Sequence, residues 1–201
     1  MSAKIAATDA MHPTLENRKL PLPESSAPAE QPFEVRATET GRCLIARRNI
    51  TAGTRLFGED DFADEAERRS FRTLSEAQLR QLAPDERAAF VRYGYNTAPD
   101  EITGALDPKT VRHPTNFLNH CCDPNAGYDG TEHIVALRDI AAGEEIRMDY
   151  GTFSFSFDHD FICRCGAANC RGKVTANDWP DLVRSGLRLP GFMRERADSL
   201  S

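Results

Sequence analysis

Read for apolar and polar positions, the chain changes character near residue 33. From Met1 to about Pro32 it carries Pro13, Pro21, Pro23, Pro28 and Pro32 among Ser, Ala and Glu, with no sustained period of 2 or 3.6. This pattern predicts a mobile tail over residues 1–32. At Phe33 the run FEVRAT alternates apolar with polar in strand fashion, and a turn at Gly41 leads into a second apolar run, CLIA. Two later segments resemble each other: Ala46-Arg-Arg-Asn-Ile-Thr-Ala-Gly-Thr-Arg-Leu56 and Ala136-Leu-Arg-Asp-Ile-Ala-Ala-Gly-Glu-Glu-Ile146. Each reads as a strand, a tight turn needing Gly53 or Gly143 at positive φ, and a returning strand, so two hairpins of one kind flank the region between them. That region reads as a helical insert over about 74–95. Ser75 is placed as an N-cap with Leu74 and Leu79 as a hydrophobic staple, and Pro84 opens a second helix through Phe90 and Val91. Thr97 to Pro114 reads as a loop. Near the C-terminus Asp178 is placed to cap a short helix from Trp179 that Gly186 ends. Strands outnumber helices, giving an α+β domain that is mostly β.

Composition narrows the partners. The 201 residues, 40% hydrophobic and 28% charged, suit one domain of ordinary size with chain left over. The 25 Lys and Arg against 31 Asp and Glu leave a net charge of −6. This balance argues against holding nucleic acid by bulk charge and makes a basic peptide the easier partner. No run of about 18 apolar residues is present to span a membrane, and the N-terminus lacks the apolar stretch of a secretory signal. The expectation is an intracellular, cytoplasmic protein, or a nuclear one in a eukaryote.

Five of the six cysteines lie in the second half, and three fall within eight residues in Cys163-Arg-Cys165-Gly-Ala-Ala-Asn-Cys170-Arg-Gly. In a reducing compartment such a cluster holds a metal more often than disulfides. Zinc prefers tetrahedral sulfur and nitrogen ligands, and a structural site takes four. On the residues alone the fourth ligand stays open among Cys43, Cys121, Cys122 and His159. Three thiolates leave an ion electron-rich and poor at acidifying water, which points to a structural role.

Residues 116–125 read NFLNHCCDPN and residues 143–150 read GEEIRMDY. Singly these residues serve as turn formers, a core histidine and a strand-end aromatic. In combination, NHxCxPN, GEExxxDY and CxCGxxxCRG, in that order over about Phe33–Val174, resemble the SET-domain protein lysine methyltransferases with a post-SET zinc loop. The resemblance implies a fold of small curved sheets with a C-terminal pseudoknot, a SET domain over 33–158, a post-SET loop over 159–175 and a helical appendix over 176–201. It implies S-adenosylmethionine as cofactor, held by Arg42, Cys43, Phe117, Asn119 and His120, and Tyr150 as the catalytic residue. It also implies Cys122 as the fourth zinc ligand beside Cys163, Cys165 and Cys170. Two positions depart from the family pattern. Cys43 replaces the second glycine of a Gly-x-Gly turn, and Asn116 stands where an arginine is usual.

Methyl transfer to lysine needs a neutral amine. With a pKa of about 10.4, only roughly one lysine in a thousand is neutral near pH 7.4. A narrow apolar channel lowers that pKa by desolvation, and aromatic walls also attract methylammonium. Channel candidates are Tyr93, Tyr95, Tyr128, Met148, Phe153 and Phe155, with Phe157 completing a period-2 set after Tyr150. Family members often carry Phe or Tyr where Met148 stands, and that residue influences how many methyl groups are added. The acidic stretches Glu59-Asp-Asp61 and Asp64-Glu65 read as solvated loop, with substrate contact as the alternative. Two other functions compete: a catalytically silent zinc-containing interaction module and a thiol redox protein. The sequence names neither the substrate protein nor the oligomeric state.

Overall fold

The computed structural model describes residues 31–39, 41–58, 63–155 and 160–200. The expected tail, apart from Gln31 and Pro32, lies outside these residues, as do Glu59-Asp-Asp61, Phe157 and His159. In chain order the elements are β1 (Phe33–Thr38), β2 (Gly41–Ala46), β3 (Arg55–Phe57), α1 (Glu65–Ser70), β4 (Phe71–Ser75), α2 (Glu76–Gln81), α3 (Pro84–Arg92), β5 (Tyr95–Ala98) and β6 (Glu101–Ala105). There follow β7 (Asn119–His120), β8 (Ala126–Tyr128), β9 (Ile134–Ala136), β10 (Glu145–Met148), β11 (Phe161–Ile162), β12 (Lys173–Val174), α4 (Trp179–Arg184) and α5 (Arg194–Asp198). The strands form small sheets in the orders β1-β2-β10-β7, β3-β9-β8, β4-β6-β5 and β11-β12. This is the expected mostly-β α+β architecture. Among the described residues no helix is long and apolar enough to cross a membrane.

The FEVRAT and CLIA runs pair as β1 and β2, in register from Phe33 opposite Ala46 to Thr38 opposite Gly41. The two repeated segments do not close into separate hairpins. They bind each other, and every bond has a counterpart 90 positions along. The Ala46 N–H donates to the Glu144 carbonyl and the Ala136 N–H to that of Thr54, both at 2.9 Å. The Gly143 N–H meets the Ala46 carbonyl and the Gly53 N–H that of Ala136, both at 2.8 Å. Ile50 and Ile140 exchange both bonds. The Asn49 and Asp139 side chains each accept from the opposite turn, at Ala142 and Ala52. A short strand with one apolar face buries little by itself. Two equivalent turns locked face to face put Ile50 and Ile140, 4% and 1% exposed, into one core.

The helical insert starts as its capping residues dictate. Ser75 Oγ accepts from the Gln78 N–H while the Gln78 side chain accepts from that of Ser75, and Leu74 packs with Leu79. Of the stretch expected as a loop, residues 106–114 do lie outside strands, with a 3-10 turn at Pro108–Thr110; the part from Thr97 to Ala105 is not a loop. It completes β5 and forms β6, the central strand of its sheet. The glycine that suggested a loop has a packing role, because a Cβ at Gly104 would lie 2.8 Å from the Phe90 carbonyl oxygen. Its absence lets α3 press onto the strand. The acidic stretch at 64–65 is also ordered. Asp64 caps α1 through the Glu67 N–H, and the fully buried Glu67 carboxylate accepts from the Ala63, Arg112 and His113 N–H groups at 2.6–2.9 Å. Asp178 stands at the N-cap position of α4 but makes no capping bond; its carboxylate is taken by Arg171 and Thr175. Gly186, at φ +97°, ends the helix as expected.

Candidate active site

The site grows from β10. This strand pairs antiparallel with β2 on one side and parallel with β7 on the other, placing Arg147 opposite Asn119 and Met148 opposite His120. Beyond Met148 the strand breaks, because Asp149 Oδ1 accepts from the Gly151 N–H at 2.9 Å and starts a 3-10 turn over Tyr150–Thr152. The turn carries the Tyr150 ring under the end of β7, where its hydroxyl donates to the Leu118 carbonyl at 2.7 Å. Burial raises the pKa of this hydroxyl well above the usual phenol range, so it keeps its proton.

Tyr150 forms part of a cavity of about 100 Å3. Tyr93, Tyr95, Tyr128, Met148 and Phe153 line it, with Asn116 and Leu118 beside them. Among the described residues Arg92 is the only charged group on its wall. A protonated amine entering this space would shed water and meet no carboxylate. Phe155 does not line the cavity. It packs with Leu189 and Met193 and meets Phe192 edge-on, ring centroids 6.0 Å apart. The period-2 expectation fails there because residues 150–152 form a 3-10 turn and Phe153 has ψ near 9°, not that of a strand.

The residues assigned to the cofactor gather beside β7. Asn119 Nδ2 donates to Glu145 Oε1 at 2.8 Å and to the Arg42 carbonyl at 3.3 Å, linking β7, β10 and β2. The Arg42 guanidinium lies 3.8 Å above the centre of the Phe117 ring. Cys43 is 4% exposed, and burial, reinforced by the Glu145 carboxylate, pushes its thiol up. The side chain that replaces the family glycine is thus accommodated in the interior.

Behind the tyrosine, Cys122, Cys163, Cys165 and Cys170 bring their sulfur atoms within 4.8 Å of one another. A tetrahedral zinc with Zn–S bonds of about 2.3 Å would set neighbouring sulfurs about 3.8 Å apart, and Cys122 and Cys163 stand at 3.8 Å. The donor set therefore fits zinc. Cys121 and Cys43, though buried, are outside the cluster. Burial pushes Cys122 and Cys163 up. Cys165 is held down against burial by the Cys122 and Ala167 N–H groups and by the thiols of Cys163 and Cys170. His120 bridges the cluster to the tyrosine. Its Nδ1 accepts from the Tyr150 N–H at 3.1 Å, so the ring proton sits on Nε2, 3.3 Å from Cys122 Sγ. Burial holds this imidazole at about 4, hence neutral.

Two residues that brace the site were given no role in it from the sequence. Asn125, 1% exposed, gives both amide protons to Glu144 and the Glu145 carbonyl and accepts from the Arg147 N–H. Its place in NHxCxPN was the available signal. Arg171 makes a two-pronged ion pair with Asp149 at 2.6 and 2.7 Å. Only its position beside Cys170 drew attention to it.

Comparison with known proteins finds similar chains. The chain is 47% identical over 95 residues to the Saccharomyces cerevisiae histone-lysine N-methyltransferase described as H3 lysine-4 specific, a match covering 40% of this chain and 9% of that protein. Over 79 residues it is 34% identical to the probable histone-lysine N-methyltransferase set-23 of Caenorhabditis briggsae, covering 35% of this chain and 33% of that protein. Over 124 residues it is 32% identical to the histone-lysine N-methyltransferase SUV39H2 of Xenopus tropicalis, covering 50% and 30%. The chain thus spans no more than a third of the length of any of these relatives. A model of the SET domain matches residues 41–151, from the start of β2 to the turn that carries Tyr150 and over more than half of the chain. This protein belongs to the SET-domain family.

Proposed function

We propose that this chain is an S-adenosylmethionine-dependent protein-lysine N-methyltransferase whose C-terminal thiols hold a structural zinc. The observation that carries the reading is the Tyr150 hydroxyl, fixed to the Leu118 carbonyl in an apolar, aromatic cavity beside the Asn119–His120 strand. Arg42, Cys43, Phe117, Asn119 and His120 would hold the cofactor, which when bound supplies a methyl group activated on a sulfonium. The walls formed by Tyr93, Tyr95, Tyr128, Met148 and Phe153 strip water from an entering lysine and so favour its neutral form. Tyr150, its own proton committed to Leu118, presents a hydroxyl oxygen that accepts from the amine and turns the nitrogen lone pair toward the methyl carbon. The lysine ammonium would give its proton to solvent before transfer. The neutral nitrogen then gains the N–C bond as the methyl–sulfur bond breaks, so that the product amine carries the positive charge that the sulfonium loses. Rate enhancement then comes from alignment and from a cavity that offers the ammonium form no carboxylate.

Zinc on Cys122, Cys163, Cys165 and Cys170 would tie the end of β7 to the C-terminal segment, closing one wall of the site. Since the relatives are named histone-lysine methyltransferases, a lysine in a histone or similarly basic protein is the substrate we assign, which would place the enzyme at chromatin. The test is to incubate the chain with methyl-labelled S-adenosylmethionine, core histones and a cell lysate, then locate the label by mass spectrometry. Label on lysine Nε is expected. Absence of cofactor binding in calorimetry, together with no label on any lysine, would instead support the silent interaction module.

A further inference from the structure

We infer that Arg171 is a positioning residue: it transmits the state of the thiol cluster to the turn that carries Tyr150. The inference rests on the reading of Tyr150 given above and adds a residue outside the cavity and the thiol set. Asp149, immediately before Tyr150, has a fully buried side chain. A buried carboxylate persists only with a cation and donated hydrogen bonds around it. Arg171 supplies the cation through both terminal nitrogens, at 2.6 and 2.7 Å, and the Gly151 N–H supplies a further bond at 2.9 Å. The ion pair therefore grips the turn on either side of Tyr150.

Arg171 is itself anchored at two other points. Its backbone N–H lies 3.4 Å from Cys122 Sγ, and its Nε donates to Asp178 at 2.9 Å where α4 begins. Two connections thus run from one sulfur to one turn. The His120 ring links Cys122 to the Tyr150 N–H, and Arg171 with Asp149 links it to the Gly151 N–H. The turn has little room to relax, since a Cβ at Gly151 would lie 2.8 Å from the Leu182 side chain and 3.2 Å from Asp149. A guanidinium whose main chain sits on the thiol cluster and whose side chain holds the tyrosine's turn makes the position of Tyr150 depend on that cluster.

The experiment compares wild type with Arg171→Lys, Arg171→Met and the double variant Asp149→Asn/Arg171→Met. Zinc content, melting temperature, kcat and KM are measured, together with fluorine NMR of protein labelled with fluorotyrosine. The chain has four tyrosines, and the Tyr150 resonance is identified by its loss in Tyr150→Phe. Arg171→Met is expected to keep its zinc, lower kcat by about 100-fold, leave KM within about threefold and displace the Tyr150 resonance. Chelation of zinc from wild type should displace the same resonance. The double variant, freed of an unpaired buried charge, should regain melting temperature without regaining kcat. Arg171→Lys keeps the charge but not the two-pronged geometry, and should fall between; it decides the matter if Arg171→Met does not fold. The inference is overturned if a zinc-loaded Arg171 variant keeps both the wild-type resonance and kcat, or if the double variant recovers kcat together with stability. Failure of wild type to methylate lysine would count against the proposed function alone, since the resonance still reports on Arg171.

Discussion

After Gly53 the chain enters β3 through Thr54 and Arg55; after Gly143, at the same point of the repeat, it enters β10 through Glu144 and Glu145. The backbone hydrogen bonds of the two segments are reciprocal, and Leu56 and Ile146 are both buried. Their side chains have different work. Glu144 gathers Arg138 at 2.6 Å, Asn125 at 2.9 Å and the Ala141 N–H at 3.1 Å. Glu145 fixes Asn119 at 2.8 Å. The strand after the second turn ends at Met148 and leads into the turn that carries Tyr150, whereas the strand after the first pairs with β9. One turn geometry, used twice, builds the core from both copies and the site from one. Backbone equivalence therefore predicts equal stability costs, and side-chain divergence predicts unequal functional ones.

The largest effect that separates these two expectations comes from truncating the core. Leu56→Ala and Ile146→Ala should each cost about 2–4 kcal/mol in denaturant melts. Assayed where both are folded, Ile146→Ala should lose far more methyl-transfer rate, because its strand delivers Tyr150. Next comes the acidic pair. Glu145→Gln weakens a charge-assisted bond to Asn119 and should lower cofactor affinity by about 5–10-fold in calorimetry, roughly 1 kcal/mol; Arg55→Gln should leave that affinity unchanged. Smaller and equal costs are expected at the glycines. Gly53 and Gly143 have φ of +81° and +85°, and an added Cβ at either would meet nothing within 4 Å, so each Gly→Ala exchange should cost about 1 kcal/mol of backbone strain alone. Costs differing by more than about 0.5 kcal/mol would break the equivalence of the turns.

The smallest effect is a pH dependence confined to the second copy. The Arg138 hydrogen bond holds Glu144 at about 2, below its ordinary 4.5. A lowered folded-state pKa contributes stability that is complete above the unfolded value and fades as pH falls toward the folded one. The gap in urea midpoint between wild type and Glu144→Gln should thus be full above about pH 5 and close toward pH 2. Loss in acid of the proposed zinc would act on both proteins and cancel in that difference. Thr54→Val, at the equivalent position, should show no such trend.

What the sequence disclosed was mostly what neighbouring residues decide. The β1–β2 hairpin, the cap at Ser75 and the helix opened by Pro84 each depend on contacts a few residues apart. The repeat was visible, but its pairing was not, since either turn looks self-sufficient until its 90-residue-distant counterpart occupies its hydrogen bonds. Gly104 signalled a loop because a close approach by Phe90 leaves the same mark in sequence as a bend. α1 escaped notice because the groups that satisfy Glu67 lie mainly at Arg112 and His113, more than 40 residues away. Tyr150, Asn119, His120 and the thiols were legible as a signature, through resemblance. Arg171 was not, because nothing in a string of residues says which of many carboxylates a guanidinium will meet 22 positions away.

The claim on which the account turns is that the Tyr150 hydroxyl aligns a neutral lysine amine for methyl transfer. Its most direct test is a single turnover from saturating S-adenosylmethionine to a lysine peptide by wild type and Tyr150→Phe, with cofactor and peptide affinities measured on both. The account predicts a rate at least about 100-fold lower in Tyr150→Phe, with both affinities within about threefold of wild type. Transfer at the wild-type rate by Tyr150→Phe, or a loss of rate explained wholly by lost binding, would contradict it.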